Sequence, residues 1–503
     1  MSSKSRMLLR GGVLLIHDAN NHVVPTQADL LVEGQLISGI AEHIDVDSDI
    51  KVIDCRGKIV SPGFIDTHRH LWQTQYKGMH ANETLIEYLP RGNAGSVLWS
   101  PEDLFWGQLS GALESIEAGT TTLVDHSHCN VTPEYPQAAT QALLSSGLRA
   151  VYCYTPPQRL KSREPWKTEG AASDETFADY QALARGGPYG HGRVHIGYAN
   201  DDLYSPAEVL KPLYAKLRDP AQGKAKIITT HTIGGLMAGD EDAPTAVQIL
   251  DSHGLLGPDV LLSHANWPHQ GDGERYRRSG ARVSSTPNTE LQMGRVAVAL
   301  RDDHYANASI GVDCHSWGVA GIPGQMRLLL QAARGDRGEE LTRKGLWTRK
   351  VGFSAEQVFN LGTLGGAKAC GLEGEIGTLK EGFKADIVIF DGETPSMLAA
   401  AEEDPVAAIV IHSNPGDIDA VIIDGVVRKE GGKLVDVDVV AAPNAAKSQI
   451  KPGTRITWKE VARNVLGSRK KLLEREKGID FKTAEDTTID GYHMNRKALL
   501  EDQ

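Results

Sequence analysis

Cysteine is scarce in this chain. Five cysteines in 503 residues, Cys55, Cys129, Cys153, Cys314 and Cys370, are scattered, odd in number and never spaced Cys-x-x-Cys. Neither a disulfide framework nor a zinc site built on thiolates is suggested. Long apolar runs are also missing: no segment approaches the roughly 20 apolar residues of a membrane span. Near the N-terminus Leu8-Leu9 is soon interrupted by Arg10, and no small-residue cleavage site follows a long apolar run. Positive charge is not in excess either. The formal net charge of -12 argues against a nucleic-acid backbone as the main partner, because phosphate binding needs a basic surface. What remains, 40% hydrophobic and 23% charged residues, is ordinary for a globular enzyme. The expectation is a cytoplasmic, reduced setting, with no membrane and no nucleic acid among the partners.

Against these absences stands one dense stretch, Ser61-Pro62-Gly63-Phe64-Ile65-Asp66-Thr67-His68-Arg69-His70. β-Formers meet a Pro-Gly turn, and a second apolar pair delivers His-x-His. On a strand, residues i and i+2 point to the same face, so His68 and His70 project side by side. Neutral imidazoles suit zinc, iron and similar ions, and a catalytic ion needs about three protein ligands with one position open. Later strand-like runs each end in a ligand-type residue: Ile227-Ile228-Thr229-Thr230 in His231, Val260-Leu261-Leu262-Ser263 in His264, and Ser309-Ile310-Gly311-Val312 in Asp313. In a parallel barrel all strand carboxyl ends lie on one face, which brings such residues together.

The surrounding pattern supports a barrel. Short β-like runs separated by turn residues fill the stretch from Met7 to about Val60, and a similar β-rich tract returns after Gly377. Between them strands alternate with helix-compatible stretches, near Ile59-Ile65, Thr120-Asp125, Ala150-Tyr154, Val194-Tyr198, Lys226-Thr230, Val260-Ser263, Arg282-Ser285 and Ser309-Val312. Eight such units close a TIM barrel. The expected fold is therefore an α/β (β/α)8 TIM barrel at 63–376. A small β-sandwich domain built from 1–62 and 377–440 flanks it, and a helical extension follows at 441–503. Ser100 is the expected cap of a helix over Pro101-Gly119, and Gly324-Ala333 is a second helical stretch.

Three segments carry a family resemblance: Pro62-Gly63-Phe64-Ile65-Asp66-Thr67-His68-Arg69-His70, Glu117-Ala118-Gly119-Thr120-Thr121-Thr122-Leu123-Val124-Asp125, and Gly377-Thr378-Leu379-Lys380-Glu381-Gly382-Phe383-Lys384-Ala385-Asp386-Ile387-Val388. The chain resembles the amidohydrolase superfamily, most closely its branch of cytosine, guanine and methylthioadenosine deaminases and triazine hydrolases. The resemblance runs to Asp391, over half the chain. It implies that His68, His70 and His231 hold one divalent transition metal, zinc before iron, with Asp313 as fourth ligand or water-binding base and His264 beside the water or substrate. Such an ion lowers the pKa of bound water from 15.7 toward about 7. Asp313 then serves as general base and general acid, and His264 is the second catalytic residue.

Two further absences bear on the reaction. Some superfamily members bridge two metals with a carboxylated lysine on the fourth strand, but here that strand reads Val194-His195-Ile196-Gly197-Tyr198-Ala199-Asn200. One metal is expected, with His195 a packing residue. Deaminases of this branch commonly place a glutamate three residues after the fifth-strand histidine, whereas this chain has Gly234. Asp240 or Glu241 would have to reach in from the loop. The sequence reading therefore favours a hydrolase cleaving a non-peptide C–N bond of a cyclic or aromatic small molecule, an amide, lactam or amidine. A deaminase of a nucleobase-like heterocycle is the alternative and a silent scaffold a more distant one; adenosine-, guanine- and cytosine-like compounds are expected to be poor substrates. Residues expected to shape the pocket are Trp72, Gln73, Tyr76 and His80 after the first strand, His126 and His128 after the second, Asn266, Trp267 and His269 after the sixth, Asn288 after the seventh, and His315 and Trp317 after the eighth. His126 and His128 form a second His-x-His, read as pocket lining rather than a metal pair. A homo-oligomer is the expected assembly.

Overall fold

The computed structural model describes residues 5–232, 243–294, 297–491 and 494–499. The N-terminal tract forms β1 (Arg6–His17), β2 (Val23–Glu33), β3 (Leu36–Ala41), β4 (Lys51–Asp54) and β5 (Lys58–Pro62). Eight barrel strands follow: β6 (Phe64–Arg69), β7 (Thr120–Ser127), β8 (Arg149–Tyr154), β9 (Val194–Ala199), β10 (Ile228–Thr232), β11 (Val260–His264), β12 (Arg282–Ser285) and β13 (Ala308–Ile310). The C-terminal tract adds β14 (Ile387–Asp391), β15 (Ile418–Ile423), β16 (Val426–Glu430) and β17 (Lys433–Leu434).

Each expected barrel strand is present, and one is divided. The run Ile59-Ile65 is two strands, β5 in the flanking sheet and β6 in the barrel, with the chain crossing between them at Gly63. Its N–H donates to the Asp386 carbonyl at 2.8 Å, and a Cβ there would stand 2.1 Å from Thr121 Oγ1. Only glycine lets the two sheets approach this closely.

The barrel order is β13-β12-β11-β10-β9-β8-β7-β6. It nearly closes where the N–H groups of Val312 and Asp313 donate to the His68 carbonyl, at 3.2 and 2.7 Å. At Gly311 a Cβ would lie 2.8 Å from the His68 nitrogen, so this seam too depends on a missing side chain. The flanking layer is one nine-stranded mixed sheet, ordered β17-β16-β15-β14-β5-β1-β2-β3 with β4 also on β1. Its two halves join where β14 runs antiparallel to β5, Ile387 opposite Pro62 and Asp391 opposite Lys58. Leu14, Leu30, Val60, Ile387, Ile389 and Ile422 form a buried cluster of this layer.

Helix α1 (Pro101–Glu117) begins as expected: Ser100 Oγ accepts from the Asp103 N–H at 3.2 Å, and Asp103 Oδ2 accepts the Ser100 N–H at 3.1 Å. The second expected helix is longer, α2 (Ile322–Arg343). The tail supplies α3 (Trp458–Glu476) and α4 (Phe481–Gly491). In α3, Ser468 and Arg475 each donate to the Asp103 carboxylate at 2.7 Å, and Ser468 Oγ accepts from Gln75 at 2.9 Å. The tail therefore packs on the barrel of its own chain. No helix among the described residues is long and apolar enough to cross a membrane.

Candidate metal centre

The carboxyl ends of β6, β10 and β13 bring His68, His70, His231 and Asp313 together, with one ligand-type atom of each within 4.8 Å of all the others. Asp313 Oδ1 lies 3.1 Å from His70 Nε2 and 3.4 Å from His68 Nε2, and the Nε2 atoms of His70 and His231 are 3.3 Å apart. Ligand atoms around a tetrahedral zinc, each about 2.0–2.1 Å from the ion, stand roughly 3.3 Å from one another.

The outer nitrogens explain why the inner ones face each other. His70 Nδ1 donates to the His126 carbonyl at 2.7 Å, and His231 Nδ1 donates to Asp201 Oδ1 at 3.0 Å. Both rings thus keep a bare Nε2, and two lone pairs at that separation repel unless a cation lies between them. His68 Nδ1 pairs with Ser263 Oγ at 2.8 Å, while its buried Nε2 has no hydrogen-bond partner. These are the outer contacts that orient ligating imidazoles, and the residues present fit a divalent transition ion. Burial pushes the His68 pKa well below the ordinary value, preserving the neutral, ligating form. Burial alone would raise Asp313, but the adjoining His68 and His70 rings and the charge of His264 hold it well below the usual carboxylate range.

His264 joins the group from β11, its ring centroid 5.2 Å from that of His68. Its Nδ1 pairs with Thr286 Oγ1 at 2.9 Å, and Glu290 lies 3.8 Å away. Burial lowers its pKa, but Glu290 and Asp313 outweigh this and raise it above the ordinary value.

The expected pocket residues divide into several groups. His126 and His128 stand beside the centre, their rings 5.4 and 4.7 Å from that of His70. Trp72 and Tyr76 are fully buried against Trp99, and Trp72 reaches His128 at 6.3 Å. Gln73 donates to Tyr88 Oη at 2.5 Å and to the Gly92 carbonyl at 3.2 Å. His80 is bonded to Glu83 and, with Tyr88, packs on Trp317. Asn288 ties two loops together, donating to the Trp317 carbonyl at 3.5 Å while its N–H donates to Gln325 at 3.0 Å. Asn266 is buried, Trp267 and His269 are half-buried, and the His269 N–H donates to Asp272 at the start of a helix. His315 lies deeper: Arg69 Nη2 is 2.7 Å from its Nδ1 and Thr74 Oγ1 is 3.2 Å from its Nε2, so both nitrogens are engaged. Gly234, Asp240 and Glu241 lie outside the described residues.

Sequence reasoning missed Asp201 and Glu290. Asp201 follows β9 by two residues and binds both the His231 N–H, at 2.9 Å, and its ring. Glu290 is buried, accepting from Ser285 Oγ at 2.7 Å and the Thr286 N–H at 2.8 Å. The run Asn200-Asp201-Asp202 directly after a barrel strand was the available signal for the first. A lone glutamate in a short helix gave none for the second.

A barrel with His-x-His on its first strand, histidines on its fifth and sixth and an aspartate after its eighth defines a metal-dependent hydrolase. Residues 59–428 match the model of the Amidohydrolase family, and the chain belongs to that family, whose enzymes act on C–N bonds. It is 26% identical to a 5'-deoxyadenosine deaminase of Methanobrevibacter smithii, across 82% of this chain and 90% of that protein. It is 27% identical to a 5-methylthioadenosine/S-adenosylhomocysteine deaminase of Acetivibrio thermocellus, across 86% and 92%. Among solved structures, a mutant atrazine chlorohydrolase of Arthrobacter aurescens complexed with zinc and atraton superposes with a TM-score of 0.75 at 21% identity, covering 92% of this chain and 100% of that one. An adenosine deaminase of Xanthomonas campestris with bound zinc gives 0.74 at 16% identity, covering 93% and 99%.

Proposed function

We propose that the protein deaminates an amino-substituted heterocycle of the adenosine type, placing oxygen on the ring carbon and releasing ammonia. The observation that carries the reading is the convergence of His68, His70, His231, Asp313 and His264 at one mouth of the barrel. The relatives named as deaminases of adenosine analogues, which align over most of the chain, support the substrate class. They shift the balance away from the amide or lactam cleavage favoured by sequence alone.

A zinc ion held by His68, His70, His231 and Asp313 would lower the pKa of a water toward about 7 and so supply a nucleophile near neutral pH. Asp313, kept ionised among imidazoles, would accept a proton from the attacking water and return it to the departing amine. His264, its pKa raised by Glu290 and Asp313, would donate a hydrogen bond to the oxygen being added at the attacked carbon. Trp317, His80 and the Trp267 loop are the residues we assign to contact with a planar ring.

A second reading, hydrolysis of a cyclic amide, is favoured by Gly234, which leaves no carboxylate at the position the deaminase branch uses to protonate a ring nitrogen. One assay separates the two. The zinc-loaded enzyme is offered 5'-deoxyadenosine, 5'-methylthioadenosine, S-adenosylhomocysteine and a lactam panel, with ammonia release and ring opening followed separately. Ammonia from at least one adenosine analogue, with kcat/KM above roughly 10⁴ M⁻¹s⁻¹, is expected. Ring opening of a lactam without ammonia from any analogue would overturn the deaminase reading.

A further inference from the structure

We propose that His126, His128 and Asp201 form a second divalent-cation site adjoining the first. His126 is in β7 and His128 follows its end with the i, i+2 spacing that turns two side chains to one face. Asp201, arriving from the end of β9, meets them: its Oδ2 is 3.0 Å from His126 Nε2 and 3.8 Å from His128 Nε2. These separations bracket the roughly 3.3 Å expected between ligand atoms of a tetrahedral zinc. Together with a nitrogen of His231, the three residues keep all their ligand atoms within 4.8 Å of one another.

A second, independent observation concerns His128. The residue is only 9% exposed, yet neither of its ring nitrogens has a hydrogen-bond partner. Buried polar groups are nearly always paired, and an orphan costs about 1–3 kcal/mol. At 3.8 Å the Asp201 oxygen is too far for a hydrogen bond but well placed for an ion between the two groups. His126 Nδ1 is likewise buried and unpaired, which leaves Nε2 as the atom turned toward Asp201.

Asp201 divides its two oxygens between neighbouring tasks. Oδ1 accepts the backbone and ring N–H of His231, orienting that residue's Nε2 toward His70. Oδ2 is turned toward His126 and His128. The proposed site therefore has three ligands of its own, two imidazoles and a carboxylate, with at least one coordination position left open, the pattern of a reactive rather than a structural zinc. His231 remains with the first ion. Resting on the deaminase reading, such an ion would offer a Lewis-acid contact to a ring nitrogen, the role left without a carboxylate by Gly234; the ligand set itself is independent of the reaction.

The test is zinc content and position in the wild-type enzyme, stripped of metal and reloaded with excess zinc. About two equivalents per chain are expected, falling to about one in the His126→Asn/His128→Asn variant. Because that variant can fail to fold, anomalous diffraction from zinc-loaded wild-type crystals provides a separate readout, with a peak expected among His126, His128 and Asp201. A single equivalent with its peak among His68, His70, His231 and Asp313 would overturn the second site and leave the proposed reaction standing. No zinc at either place would overturn both.

Discussion

Asp313 and His264 sit on left-handed backbone, with φ of 65° and 71°, a conformation costing non-glycine residues on the order of 1–3 kcal/mol and common where function fixes a side chain. For Asp313 the constraint is visible: its N–H donates to the His68 carbonyl at 2.7 Å while its carboxylate turns back to the His68 and His70 rings. The Asp313→Asn variant is expected to keep most of its zinc, because three imidazoles remain, and to lose on the order of 10²-fold or more in kcat, because an amide cannot carry the proton. Metal analysis beside steady-state kinetics checks this, and near-normal turnover would remove Asp313 from the proton path. His195, in β9, follows a different rule. Burial, reinforced by Lys226 and Arg149, pushes its pKa down to about 4. Between that value and the ordinary 6.5 the unfolded chain binds a proton that the folded chain refuses, so this contribution to stability is complete above about pH 6.5 and is lost as the pH falls toward 4. The His195→Gln variant, which cannot titrate, should lose less stability than the wild type between about pH 7 and pH 4, read from urea midpoints at each pH. Equal losses would show that the ring is not held neutral.

Elements were legible in the sequence wherever a strand-like run ended in a residue with obvious chemistry. His231, His264 and Asp313 marked the carboxyl ends of three barrel strands, and Ser100 marked the start of α1. The division at Gly63 was legible in part: the Pro62-Gly63 turn stands out between two β-forming runs, but the runs read as one strand, and only the packing of Thr121 tells the two sheets apart. Asp201 escaped notice because an acid in a loop is usually just solvated, and its role appears only when β9 sets it against His231. The second His-x-His was visible as a pair, but its third member arrives from another strand. The crossing itself gives a sharp expectation. In a Gly63→Ala variant the new methyl would lie 2.1 Å from Thr121 Oγ1 and 2.4 Å from its Cγ2, an overpacking expected to cost about 1–3 kcal/mol. Adding Thr121→Ala removes the nearest atoms, so the double variant should be more stable than the sum of the single losses predicts. A double-mutant cycle in urea measures that coupling, and simple additivity would mean that the crossing adjusts freely.

At the scale of the whole molecule, the N- and C-terminal β tracts meet at the amino ends of the barrel strands, away from the metal ligands at their carboxyl ends. Arg149 opens β8, and its guanidinium donates to Asp386 at 2.7 and 3.1 Å and to Asp424 at 2.9 Å. All three side chains are at most 3% exposed. Burial disfavours the Arg149 charge, but the two carboxylates outweigh it and raise the pKa above the ordinary arginine value. The cluster joins the barrel to the C-terminal tract, and Asp386 also accepts the Gly63 N–H through its carbonyl, so one small polar knot connects barrel, first strand and flanking sheet. Such a knot adds little over a well-packed apolar substitute, yet breaking it leaves charges stranded in the interior, at a cost of about 3–5 kcal/mol. Arg149→Met is accordingly expected to destabilise the protein by about that amount while leaving zinc content unchanged in the folded fraction, since the ligands lie at the far ends of the strands. Adding Asp386→Asn and Asp424→Asn should recover part of the loss by removing the stranded charges. If the triple variant were no more stable than Arg149→Met alone, the cost would lie in lost packing around the arginine stem, and the knot would be a steric joint rather than an electrostatic one.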